Sequence, residues 1–248
     1  MAGDRCDATL DRGNGSRDPQ DPSGTRASSP SAGGGIVTAS RSIPWNCRPV
    51  VLASASRTRR EMLEKAGLEV EIRPADIDEP ALRRQLADRT PAEIALALAE
   101  AKARKIACHD ASVTDDSKAF VIGADQVLSL GDRILAKPRD RQSAIGQLRL
   151  LSGRDHLLTS AVVVHRGEEC LWRYRASARL VVRDLTDRFI ERYLDRVGQD
   201  VLESVGCYRI EGEGIHLFSS IEGDFFTIRG LPLVPLLEAL RRLGAMIG

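Results

Sequence analysis

The chain has 248 residues, 36 of them basic and 35 acidic, and is 42% apolar. That is enough hydrophobic material for one domain of up to about 200 residues plus an appendage, with no charge excess for coating a nucleic acid. Five scattered cysteines without a C-x-x-C pair, four histidines without H-x-H or H-E-x-x-H spacing, and no run of membrane-span length argue against a disulfide framework, a structural zinc or histidine metal site, and a bilayer protein.

Residues 1–46 are rich in Gly, Ser, Pro, Asp and Arg, as in Gly13-Asn14-Gly15-Ser16. They read as a disordered extension, or as upstream sequence included by a misassigned start, and they lack the apolar core of a secretory signal. A reducing cytoplasm is the expected compartment, and 49–246 the expected folded domain. The first informative junction follows. A short apolar strand, Val50 to Ala53, runs into Ser54-Ala55-Ser56-Arg57-Thr58-Arg59-Arg60 and then Met62-Leu63, with Gly67 as a helix stop. A helix N-terminus with serine hydroxyls and guanidinium groups is suited to holding phosphate, Ser56 serving as the cap. A strand from Glu69 to Arg73 precedes the carboxylates Asp76, Asp78 and Glu79. Thr90-Pro91-Ala92-Glu93 is a capping box opening a helix that ends near Cys108 and carries Lys102. Ala119 to Gly123 predicts a buried strand leading into Ala124-Asp125-Gln126, and a carboxylate at such a place requires a partner or a cation. Lys137-Pro138 precedes a helix over Arg139 to Leu151. His156 to His165 and Cys170 to Val182 predict an antiparallel hairpin, Thr186 caps a helix ended by Gly198, and a last helix covers Leu233 to Leu243.

Alternating strands and helices give a mixed α/β domain. Carboxylates with lysines and arginines at strand ends are the ingredients of metal-assisted phosphoryl chemistry, and the absence of a G-x-x-x-x-G-K-[ST] loop excludes a P-loop enzyme. From Val51 to Leu243 the ordered pieces Leu52-Ala53-Ser54-Ala55-Ser56 with Arg59, Asp78-Glu79, Ala101-Lys102-Ala103, Gly123-Ala124-Asp125-Gln126-Val127, Lys137-Pro138, Leu151-Ser152-Gly153 with His156, Glu211-Gly212-Glu213-Gly214 and Gly230-Leu231-Pro232-Leu233 resemble the Maf family of nucleoside triphosphate pyrophosphatases.

The resemblance implies an elongated mixed sheet flanked by helices, two lobes around a cleft, related to the inosine triphosphate pyrophosphatases. It implies a hydrolase acting on acid anhydrides that cleaves between the α- and β-phosphates, uses magnesium or manganese, and works as a homodimer on nucleoside triphosphates rather than on nucleic acid or membrane. Carried over by position, Asp125, Glu79 and Lys137 are catalytic, Asp125 and Glu79 hold the metal, and Ser54, Ser56, Arg59 and Lys102 bind the triphosphate. Thr58, Gln126 and Glu211 occupy positions associated with base choice. Gln126 with Glu211 resembles the 7-methyl-GTP subgroup, although Thr58 stands where that subgroup tends to have an aromatic residue. A glutamate can accept from guanine N1–H and its exocyclic amine, whereas pairing of Glu211 with Arg209 or Arg175 would leave it a surface carboxylate. The alternatives are a dTTP/UTP-type pyrophosphatase, an inosine-type one, and a nucleotide-binding regulator of cell division with little turnover.

Overall fold

The computed structural model describes residues 44–109 and 119–248, and the side chain of His109 is not among the described groups. The expected extension therefore lies outside the described residues except for its last three positions. These dock on the domain: Trp45 N–H donates to Gly67 O at 3.0 Å, Ile247 N–H donates to Trp45 O at 3.0 Å, and Asn46 bridges Met246. The Asn46 amide also closes a reciprocal pair with the backbone of Glu69, at 3.0 and 2.8 Å.

A mixed sheet forms the centre. Its strands are β1 (Val50–Leu52), β2 (Glu71–Ile72), β3 (Phe120–Leu130), β4 (Arg133–Leu135), β5 (Asp155–Arg166), β6 (Glu169–Val182) and β7 (Phe218–Glu222), in the order β2-β1-β3-β5-β6-β7 with β4 on β3. Only β1 pairs in parallel, with β2 and β3; the remaining ladders are antiparallel. The helices are α1 (Arg57–Lys65), α2 (Glu79–Gln85), α3 (Pro91–His109), α4 (Arg141–Leu151), α5 (Asp187–Val197), α6 (Phe225–Ile228) and α7 (Leu233–Arg242), with 3-10 turns between Gly198 and Leu217.

Strand alternation distributes the core. Phe120, Ile122, Val162 and Val164 face α1 and α7, packing with Met62, Leu63, Leu236 and Leu240. Val121, Ala161 and Val163 face the other way, onto Ile94, Leu98 and Ala103 of α3. Burial on both faces explains why β5 is apolar over most of its length. A third cluster, at the far end of the long strands, joins Leu128, Leu158 and Leu180 to α4 and α5. Two lobes thus share one sheet.

The edge of β3 positions the site. β1 covers this edge at Phe120 to Ile122, and β4 covers it at Leu128 to Leu130, leaving Gly123 to Val127 between them without a strand on that side among the described residues. Helix α3 presses close at the same level: a Cβ on Gly123 would lie 2.1 Å from Ala99 O and 2.7 Å from Ala103 Cβ. Only glycine permits that approach.

Candidate functional site

The gap in the β3 edge opens into a cleft of about 880 Å3 between the lobes. Asp125 and Gln126 sit at the gap, and because they are neighbours on a strand they face opposite sides of the sheet.

Asp125, 4% exposed, faces α3 and α2. Its Oδ1 accepts from Lys102 Nζ at 2.7 Å and its Oδ2 from Arg83 Nη2 at 3.2 Å. The same Lys102 ammonium lies 2.7 Å from Glu79 Oε1, and Arg83 lies 4.0 Å from Glu79 Oε2. Two carboxylates therefore converge on one cation, with a guanidinium bridging their outer oxygens. Burial raises the Glu79 carboxyl, but the Lys102 hydrogen bond and the charges of Lys102, Arg83 and Arg59 outweigh it and hold the group below the ordinary glutamate value. Lys102 is itself buried, so the charge cluster is insulated from water on one side.

Gln126 faces the loop around α6. Its Nε2 lies 3.0 Å from Ser160 Oγ and donates toward the carbonyls of Thr227 and Ile228, 3.1 and 2.9 Å away. With the amide hydrogens directed to those acceptors, the polar atom the side chain has left to offer is an acceptor, Oε1. Asp224 caps α6 through Thr227 N–H at 2.6 Å, which holds those carbonyls in place.

Arg59 joins the two sides. Its Nε donates to Gly230 O at 2.8 Å, and its Nη1 donates to Ser54 Oγ at 3.0 Å and Ala124 O at 2.9 Å, leaving Nη2 outside these bonds. Ala124 is in the uncovered stretch of β3, so the guanidinium satisfies a carbonyl that a strand would otherwise pair. Burial lowers the Arg59 pKa, opposed by the charges of Asp125 and Glu79.

All ten residues assigned from sequence line this cleft: Ser54, Ser56, Thr58, Arg59, Glu79, Lys102, Asp125, Gln126, Lys137 and Glu211. Ser56 keeps the helix-capping role expected of it, and the structure gives several of the other residues and their neighbours partners of their own. Arg57 and Arg60 are spent on exposed pairs with Glu61 and Glu64 along α1, both at 2.7 Å, so Arg59 alone of the three is buried at the site. Ser56 caps α1 through Arg59 N–H at 3.4 Å, and Ser54 accepts from Arg59. Lys137 stands at the rim, largely exposed and 3.6 Å from Glu203, apart from the Asp125 cluster. Glu211 pairs with neither Arg209 nor Arg175 but with Arg229, at 3.1 Å, and the Arg229 guanidinium lies over the Phe225 ring at 5.5 Å. Asp78, beside Glu79, caps α2 through Ala81 N–H at 2.8 Å, which is a structural use.

Sequence reasoning passed over Arg83, Arg139, Arg209 and Arg229, which add positive charge to the walls. Arg83 was hidden because α2 is a short helix of seven residues, none of them fully buried, whose sequence does not show which side chains meet Asp125. Tyr208, also in the wall, has its hydroxyl 2.6 Å from Nε2 of buried His156. No helix among the described residues is long and apolar enough to cross a membrane.

The Maf-like protein family model matches residues 49–243. A 7-methyl-GTP pyrophosphatase of Rhizobium meliloti (strain 1021) is 52% identical over 199 residues, covering 79% of this chain and 97% of the relative. A protein of the same name from Mesorhizobium japonicum is 50% identical over 201 residues, 80% of this chain and 98% of the relative. A nucleoside triphosphate pyrophosphatase of Gluconobacter oxydans (strain 621H) is 46% identical over 196 residues, 78% and 94%. Among solved structures, a HAM1 protein from Coxiella burnetii superposes with a TM-score of 0.36 at 19% identity, over 54% of this chain and 73% of that one.

Proposed function

The chain belongs to the family of Maf-like proteins, and from that premise we propose that it hydrolyses a nucleoside triphosphate between the α- and β-phosphates, with 7-methyl-GTP as substrate. The observation that carries this reading is the convergence of Asp125 and Glu79 on Lys102, each carboxylate 2.7 Å from its ammonium, in a cleft whose remaining charge is mainly arginine. A substrate with several negative charges is drawn to such walls, and a water attacking beside Asp125 has a base for its proton.

In this scheme water attacks the α-phosphorus and the bond from that atom to the bridging oxygen breaks. The bridging oxygen leaves with the electron pair as part of diphosphate, while the water proton passes to Asp125. Lys102, Arg83 and the free edge of Arg59 meet charge near the reacting phosphate, and Lys137 at the rim meets the outer phosphates. The paired carboxylate oxygens are the hard donor set that magnesium or manganese takes, and such a cation, when bound, neutralises phosphate charge.

The base is read on the other face of β3. Gln126 Oε1 and the Glu211 carboxylate are acceptors, which suits the donor edge of guanine, and Glu211 adds Coulomb attraction for a ring made positive by 7-methylation. The 7-methyl-GTP pyrophosphatase names of two of the relatives support the same choice. We extend the proposal to a cytoplasmic homodimer whose catalytic domain is 49–246, acting on free nucleotides; the net charge of only +1 supports the last point.

The test is diphosphate release with magnesium or manganese across canonical and 7-methylated nucleoside triphosphates. Catalytic efficiency should be highest for 7-methyl-GTP, with TTP and UTP well behind. Asp125→Asn should lower kcat by roughly a hundredfold or more while circular dichroism stays native, because charge is removed and shape kept. Preference for TTP or UTP would overturn the base assignment, and retained turnover in Asp125→Asn would remove that carboxylate from the chemistry. Nucleotide binding without release would favour a regulator.

A further inference from the structure

At the tip of the β5–β6 hairpin, away from the β3 gap, a buried histidine makes no well-formed hydrogen bond from either ring nitrogen among the described residues. His165 is 1% exposed, and both its Nδ1 and Nε2 are unsatisfied. An imidazole so placed loses its solvation without recompense, and such a group calls for a ligand or an unseen partner.

Its surroundings supply the other donors. Cys170 is the cross-strand partner of His165, and the β5–β6 register shifts between Val164 and His165, the kind of irregularity that re-aims a side chain. Glu100 comes from α3, with Oε1 3.7 Å from His165 Nε2 and Oε2 3.9 Å from Arg173 Nη1. One ligand atom from each of Glu100, His165 and Cys170 lies within 4.8 Å of the others. Ligand atoms around a tetrahedral zinc are separated by roughly 3.3 to 3.8 Å, given bond lengths of about 2.0 to 2.3 Å. The Glu100–His165 pair is already at that spacing, and the thiol can close the remainder by side-chain rotation.

We propose that Glu100, His165 and Cys170 form a binding site for a zinc-class cation, with a fourth position open to water or an anion. The mixed sulfur, nitrogen and oxygen donor set selects zinc or cobalt over magnesium, which demands oxygen ligands. Burial, with the charges of Arg104 and Arg173, lowers the His165 pKa against the pull of Glu100 and of the Gly167 backbone. Arg173 lies within ion-pair distance of the outer oxygen of Glu100. Glu100 and Lys102 are two residues apart on α3, so an ion here grips the helix that also serves Asp125. The site was invisible to motif spacing because its members come from a helix and two strands.

The test is a Co2+ titration of the full-length protein, stripped with chelator and held in excess Mg2+. One equivalent should bind with a near-ultraviolet thiolate-to-cobalt band, displaced by Zn2+. Cys170→Ser should abolish the band, and Cys108→Ser should keep it, although Cys108 sits nearby with its thiol 3.6 Å from Gly167 O. Glu100→Gln should weaken Co2+ binding by about tenfold or more. A missing band, a band that survives Cys170→Ser, or unchanged affinity in Glu100→Gln overturns the site. Cys170→Ser should still hydrolyse nucleotide with magnesium, which separates this proposal from the reading of the cleft.

Discussion

Arg59 does more at the site than carry charge. Its guanidinium holds three acceptors from three segments, Gly230 O, Ser54 Oγ and Ala124 O, in the fixed fork that arginine provides. Arg59→Ala should therefore cost about 1 to 3 kcal/mol in urea unfolding for each acceptor left buried without a donor, as well as activity. A loss confined to activity would make it a pure phosphate ligand. Glu211 is the contrasting case, since its partner Arg229 can stay in place when the charge goes. Glu211→Gln keeps the shape and should narrow the 7-methyl-GTP over TTP ratio by about tenfold, or roughly 1.4 kcal/mol, within the range of a paired recognition group. An unchanged ratio would mean that Arg229 already neutralises the carboxylate.

The apposition of α3 to β3 brings Lys102 to Asp125, and Gly123 permits the apposition. Any side chain there meets the Ala99 carbonyl, so Gly123→Ala should push α3 outward and destabilise the fold by about 1 to 3 kcal/mol, the usual cost of overpacking. Because Lys102 rides on α3, kcat should fall as well; a variant with normal stability and normal kcat would show that the helix tolerates the shift. The sequence made α3 legible through its capping box and apolar spacing, and the β5–β6 hairpin through its alternation. It led to Asp125 because a carboxylate after Val121-Ile122-Gly123-Ala124 stands out. It read β3 as ending near Gly123, whereas the strand continues to Leu130, because Asp125 and Gln126 look like a loop when their partners are unseen. Those partners are out of reach of any local pattern: Arg83 on α2, and the Thr227 and Ile228 carbonyls a hundred residues away. The family resemblance supplied the names of the cleft residues; only the fold shows which partners Asp125 and Gln126 meet on the two opposite faces of β3.

The long strands β5 and β6 tie the two lobes into one sheet, so the stability of the lobe around α4 and α5 is felt across the cleft. That lobe holds His156, 1% exposed, against Tyr208 and Phe218, with Tyr208 edge-on to Phe218 at 4.8 Å between ring centroids. Burial pushes the His156 pKa down to about 4 from 6.5, with Asp155 pulling the other way. Between those two values the unfolded chain binds a proton that the folded chain does not, so stability falls as pH is lowered from 6.5 toward 4 and levels off below that. The full effect is roughly 3 kcal/mol for a shift of this size. The depressed values of His165 and Glu79 act in the same direction, so the quantity to measure is the difference between wild type and His156→Gln. Urea unfolding at pH 7 and at pH 4.5 should show wild type losing more stability than the variant between the two conditions. Parallel losses would mean that the imidazole takes up its proton without leaving the fold, through water entering beside Tyr208.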